Sequence, residues 1–70
     1  MSQWSIEVAS WSRLNHERRR EFLRIAGDAG GEWWGGGRVI VRAWRDAERI
    51  STSVRARGLH VRMTPAPPFV

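Results

Sequence analysis

The order of apolar patterns along the chain predicts an α+β domain of the ferredoxin-like kind: a split βαββαβ unit with a four-stranded antiparallel sheet and two helices on one face. Three observations carry this expectation. Short stretches suited to strands occur at positions 4–9, 32–34, 38–44 and 59–63, and two stretches of helical spacing fall between them. The halves also echo one another: "IEVASW" at 6–11 and "VIVRAW" at 39–44 share Val and Trp at an offset of 33, and each precedes a helical run.

Each element has its own signal. From Trp4 to Ala9 apolar and polar residues alternate, with Trp4, Ile6 and Val8 on one face of strand one. Ser12 or Asn15 can cap the first helix, with Glu17 in its first turn. Phe22, Ile25, Ala26 and Ala29 form its apolar stripe, and Gly30 and Gly31 stop it. "GEWW", a glycine loop and the β-branched "RVIVRAW" suit a hairpin. "RDAERISTSVRARG" places Ala47, Ile50 and Val54 on one helical face, with Asp46 and Glu48 near its positive end and Gly58 as a left-handed stop. In "LHVRM", Leu59, Val61 and Met63 alternate with polar residues, and residues 65–70 read as an extended, Pro-rich tail after a single domain of residues 1–64.

In such a unit strands one and three are central, strands two and four are edges, and the helices leave one sheet face open. If Val39, Val41 and Ala43 point to the helices, Arg38, Ile40, Arg42 and Trp44 point the other way. His60, Arg62 and Thr64 on strand four, and Ser5, Glu7 and Ala9 on strand one, share that open face. The hairpin register divides the adjacent tryptophans. A three-residue loop at Gly35–Gly37 pairs Trp34 with Arg38 and Trp33 with Val39, so that Trp33 is core and Trp34 is on the open face; a two-residue loop exchanges them.

Composition bounds the function. Seventy residues without cysteine make one domain whose stability comes from packing, and a core this small supplies only a few kcal/mol. Five tryptophans are a natural supplement. No apolar run approaches the roughly 20 residues of a membrane span, and "MSQWSIEVAS" has no signal-peptide pattern, so a soluble, cytoplasmic protein without membrane contact is expected. All twelve basic residues are arginine; against seven acids they give a net charge of +5 and a pI near 11.7. This balance favours nucleic acid, a nucleoprotein complex or an acidic protein surface as partner. A GC-rich genome accounts equally well for the absence of lysine.

The candidate binding residues are Trp34, Arg38, Arg42, Trp44, His60 and Arg62 on the open face. Guanidinium forks hold phosphate, and indole and guanidinium planes stack on unpaired bases, so this mixture suits single-stranded nucleic acid. The competing reading is a solvated face, with Glu7 offsetting Arg42 and arginine stems covering the indoles. "ERRRE" at 17–21 spreads its arginines over about 200° of a helix, so they do not share one groove. Arg20 and Arg24, spaced i and i+4, form its most coherent sub-patch.

Neither a catalytic group nor a cofactor site is legible. "GGG" lacks the lysine, hydroxyl residue and following helix of a nucleotide loop, and His16 and His60 without cysteine make no metal ligand set. The loop "SWSRLN" does not reproduce the phosphate cradle of the ferredoxin-like acylphosphatases, so no enzyme activity is expected. The RNA-recognition motif shares the topology, but its ring-bearing consensus strands are absent. Residues 38–62, "RVIVRAWRDAERISTSVRARGLHVR", resemble the second half of a SPOR domain, a peptidoglycan-binding module with the same element order. That likeness lies in a strand ending in an aromatic, a helix of "DAERI" type and "RARGL" before the last strand; it implies the same fold. Such modules hang outside the inner membrane on a tether, whereas strand one here starts near the N-terminus with no membrane segment before it.

Three functions follow. The first is a non-enzymatic module that binds nucleic acid or a nucleoprotein complex. The second is a protein-interaction inhibitor of a larger machine, such as an anti-CRISPR-type protein of a mobile element, because tryptophan and arginine are also favoured at interface hot spots. The third is a homodimeric module that buries Trp34 and Ile40.

Overall fold

Alternation in the strands and a three-to-four residue repeat in the helices produce the expected architecture. The computed structural model describes residues 3–66. In chain order these form β1 (Gln3–Val8), a 3-10 turn at Trp11–Arg13, α1 (His16–Asp28), β2 (Glu32–Gly35), β3 (Arg38–Val41), α2 (Trp44–Arg55) and β4 (Val61–Ala66). The strands make one antiparallel sheet in the order β2-β3-β1-β4, the ferredoxin-like arrangement with the two β1 ladders at its centre.

The core is the sum of the apolar stripes. Ile6 and Val8 of β1, Val39 and Val41 of β3, Phe22 and Ala26 of α1, and Ala47, Ile50 and Val54 of α2 are all at most 2% exposed and form one cluster with Leu59. That stripe explains why the weak helix formers Ser51, Thr52 and Ser53 stay helical: burial of Ile50 and Val54 outweighs a propensity deficit of a few tenths of a kcal/mol per residue.

Helix ends follow the residues that can satisfy free backbone groups. Asn15 caps α1 by accepting the Arg18 N–H at 2.8 Å. Both helices end in the same way. Gly31 donates to the Ala26 carbonyl and Gly30 to that of Gly27; Leu59 donates to Val54 and Gly58 to Arg55. Two arginines of the "ERRRE" run are structural. Arg19 lies 5.4 Å over the Trp11 ring and donates to the Trp11 and Ser12 carbonyls. Arg18 donates to the Arg57 carbonyl, and Arg57 pairs with Glu21 at 3.5 Å, tying the start of α1 to the end of α2.

The structure corrects the sequence reading at four places. First, β3 stops at Val41 rather than running to Trp44, and α2 begins at Trp44. The β1–β3 ladder ends at Trp4↔Val41, and the Ala43 carbonyl then takes the N–H groups of Asp46 and Ala47, with Asp46 favourably placed in the first helical turn. Second, β1 ends at Val8, and Ala9 turns to donate its N–H to the His60 carbonyl. Third, β4 starts at Val61 rather than Leu59 and runs on through Pro65 and Ala66, opposite Trp4 and Gln3. Proline is tolerated because β4 is an edge. The remainder of the expected tail, 67–70, lies outside the described residues.

Fourth, the hairpin combines the two loops that its sequence leaves open. Gly36 and Gly37 form a two-residue turn, both with positive φ (61° and 82°), as the tight hairpin turn requires. Gly35 pairs with Arg38 and Trp33 with Val39, and a bulge between them absorbs Trp34. The extra residue restores the faces of the three-residue register: Trp33 on the helix side, Trp34 on the other. Trp33 is nevertheless 46% exposed rather than core. It lies on an edge strand, and the aromatic ring it meets is Trp11, at 5.4 Å.

Candidate sheet-face binding site

Residues directly opposite one another in antiparallel strands share a face, so the register fixes what the helix-free face presents. One row across it reads Arg38, Glu7, Arg62, because Glu7 pairs with Arg38 in β3 and with Arg62 in β4. The next row reads Ile40, Ser5, Thr64. Rows stand about 6.8 Å apart along the strands. Trp34, at the bulge, lines one pocket with Ser5, Glu7, Arg38, Ile40, Arg62, Thr64, Pro65 and Ala66 of these rows and of the end of β4. The pocket has a volume of about 320 Å³. Its floor is well covered, with Ser5 8% and Ile40 6% exposed, while Trp34 keeps 46% of its surface accessible.

The electrostatics of the row are simple. Arg38 Nη2 lies 3.6 Å from Glu7 Oε2, and both side chains are about half exposed. Such a pair contributes about 0–1 kcal/mol to stability. Glu7 therefore offsets Arg38, not Arg42 as its sequence position suggests. Arg62 flanks the same carboxylate from the other side, and the row as a whole is cationic.

The other candidates separate. His60 precedes β4 and lines a second hollow with Glu7, Ser10, Ser12, Gly36 and Arg62, so Arg62 is common to both hollows. Arg42 stands beyond the end of β3, beside Gln3, Glu32, Ile40 and Asp46. Two carboxylates near it make that end of the face less cationic than the middle. Trp44 is not on the sheet face: it opens α2 and meets the Trp4 ring edge-on, with centroids 4.6 Å apart and planes at 62°. Arg20 and Arg24 are exposed on α1, which covers the opposite side of the sheet. There the Arg20 guanidinium meets His16 Nε2 at 3.2 Å.

Sequence reasoning missed two contributors. Pro65 and Ala66 wall the pocket, yet "TPAP" carries the signature of a tail; only pairing with β1 brings them onto the sheet. Trp11 is the second. It meets Phe22 at 5.7 Å and Trp33 at 5.4 Å and holds the hairpin from the helix side. Its Val-x-x-Trp spacing, repeated at Val41 and Trp44, is the one signal that marks it.

Fold and site together define a ferredoxin-like α+β domain with an arginine- and tryptophan-lined sheet face. Compared with known protein families, characterised proteins and solved structures, the chain matches none. The likeness of residues 38–62 to a SPOR module therefore rests on its sequence features and element order, with no match behind it. Among the described residues no group of three or more His, Cys, Asp or Glu is placed to hold a metal, and no helix is long and apolar enough to cross a membrane.

Proposed function

We propose that the chain is a non-enzymatic binding module that takes single-stranded nucleic acid on the helix-free face of its sheet. The observation that supports this reading is the shared pocket of Trp34, Arg38, Arg62 and Thr64. An indole stacks on a base of any sequence, and the two guanidiniums that share its pocket, Arg38 and Arg62, hold backbone phosphates. Unpaired bases can reach a flat sheet, whereas duplex bases are stacked and turned inward. A net charge of +5 favours the encounter.

The test is quenching of tryptophan fluorescence by a short single strand at low salt, repeated as salt rises. Wild type is expected to bind and to weaken steeply with salt, and the Trp34→Ala variant is expected to lose most of the quenching. Equal quenching by wild type and Trp34→Ala, or binding indifferent to salt, removes the reading.

A specific observation favours a second role, as a protein-interaction module. Trp33 and Trp44 are each 46% exposed and Leu23 is 40% exposed, all on the helix side of the sheet where a strand held on the other face does not reach. Tryptophan is among the residues enriched at the hot spots of protein interfaces. A protein captured from nuclease-treated lysate by wild type, and lost on joint Trp33→Ala and Trp44→Ala substitution, supports this role; capture that survives the double substitution refutes it.

A further inference from the structure

Within the sheet-face pocket one group does not serve phosphate binding at all: the Glu7 carboxylate. It stands in the middle of the row, between Arg38 and Arg62, at a place where any polyanion must pass it. A site selected for phosphate alone gains nothing from a negative charge there. Its ion-pair contact with Arg38 is 3.6 Å long, which leaves its lone pairs available to other donors. It shares the pocket with Trp34, and the remaining walls are Ile40, Pro65 and Ala66 with the hydroxyls of Ser5 and Thr64.

We infer that Glu7 reads the base that stacks on Trp34, and that the base is guanine. The inference rests on the nucleic-acid reading of this face. A carboxylate accepts hydrogen bonds and donates none. On its Watson–Crick edge guanine offers two adjacent donors, N1–H and the N2 amine, which match the two carboxylate oxygens. Thymine and uracil offer one N–H between two carbonyls that repel a carboxylate. Adenine and cytosine each offer an amine beside a ring nitrogen that also repels it. Arg38 and Arg62, on either side of Glu7, are then left to the phosphates before and after the base. The half-exposed ion pair is weak, so a guanine edge replaces a weak contact rather than breaking a strong one.

The experiment uses the whole chain and short thymidine strands that carry a single central guanine, adenine or cytosine, or none. Affinities come from tryptophan quenching at low salt. Wild type is expected to prefer the guanine strand about ten-fold, the scale of one bidentate base contact. Glu7→Gln, close to isosteric, is expected to lose that preference and to bind the all-thymidine strand more tightly, because a repelling charge is gone. Equal wild-type affinity for all four strands overturns the inference while leaving the binding function standing. A guanine preference that survives in Glu7→Gln overturns it as well. Absence of quenching by any strand overturns both, and the wild-type comparison decides even if the variant is unstable.

Discussion

Gly37 is where the hairpin meets the core, and a single methyl group there has a calculable cost. Its φ of 82° lies in the left-handed region, and a Cβ built on it would stand 2.8 Å from both Cβ and Cγ of Trp11. Gly36, the other turn residue, has φ 61° but nothing within 4 Å of its own would-be Cβ. Alanine at Gly36 therefore carries the backbone term alone, about 1–2 kcal/mol. Alanine at Gly37 carries that term and the overpacking of Trp11, about 1–3 kcal/mol more, for a total of roughly 2–5 kcal/mol. A domain of this length has only about 3.5–10 kcal/mol of stability, so Gly37→Ala stands near the threshold of unfolding. Urea denaturation followed by tryptophan fluorescence and far-UV circular dichroism measures the difference. At a slope near 1 kcal/mol/M, the Gly37→Ala midpoint should fall about 1–3 M below that of Gly36→Ala. In a Trp11→Ala background the gap should close, since the clash partner is gone. Equal midpoints for the two alanine variants, or a gap indifferent to Trp11, would falsify the contact.

Three other outcomes follow from exposure, charge and edge chemistry. Trp33→Ala should stay folded and lose roughly 1.5–2.5 kcal/mol, about half the cost of emptying a fully buried aromatic site, because Trp33 is 46% exposed; an unfolded variant in circular dichroism would mean that Trp33 is core after all. Joint Arg38→Ala and Arg62→Ala substitution should leave the melting curve within about 0.5 kcal/mol of wild type and reduce the slope of log affinity against log salt by about 1.4, two single-strand phosphate contacts. The same pair of changes at Arg20 and Arg24, on the far side of the sheet, should leave that slope unchanged. Sedimentation velocity at micromolar concentration should show no dimer made by edge pairing, since Pro65 interrupts the β4 edge and the bulge at Trp34 and Gly35 twists the β2 edge away; a dimer that Pro65→Thr strengthens would show the β4 edge to be open to a second copy.

Most of the architecture was legible because it depends on patterns that run through whole elements. Phe22 and Ala26, or Ile50 and Val54, recur at helical spacing, and no other element type would bury them together. Strand alternation likewise placed Arg38, Ile40 and Arg62 on the free face. Ends were less legible. "RVIVRAW" alternates cleanly to Ala43, but a strand lasts only as long as its partner ladder, which ends opposite Trp4. Two candidate residues, Arg42 and Trp44, were displaced from the middle of the face for that reason alone. At β4 the error ran the other way: proline argues against a strand until the strand is known to be an edge. Trp34 was placed on the correct face through a register that no single loop length supplies, because a bulge cannot be read from residue spacing.

The weak internal repeat explains the uneven division of labour among the tryptophans. An offset of 33 carries Ile6 onto Val39, its own cross-strand partner, as a twofold axis through the centre of the sheet demands. The same offset carries Trp11 onto Trp44, and both follow the end of a central strand. It also carries Trp4 onto Gly37. In one half, then, the tryptophan after the strand is met by an indole, Trp4, at 4.6 Å. In the other half the equivalent position is glycine, so Trp11 rests against the hairpin backbone itself. Trp33 of the adjoining edge strand then reaches the exposed side of Trp11. Breaking the symmetry at this one position fastens the hairpin to the core from the helix side. That anchorage matters on the opposite face, where Trp34, at the bulge of the same hairpin, shares a pocket with Glu7 and the two arginines. The binding face is thus held from behind, through Gly37, by Trp11.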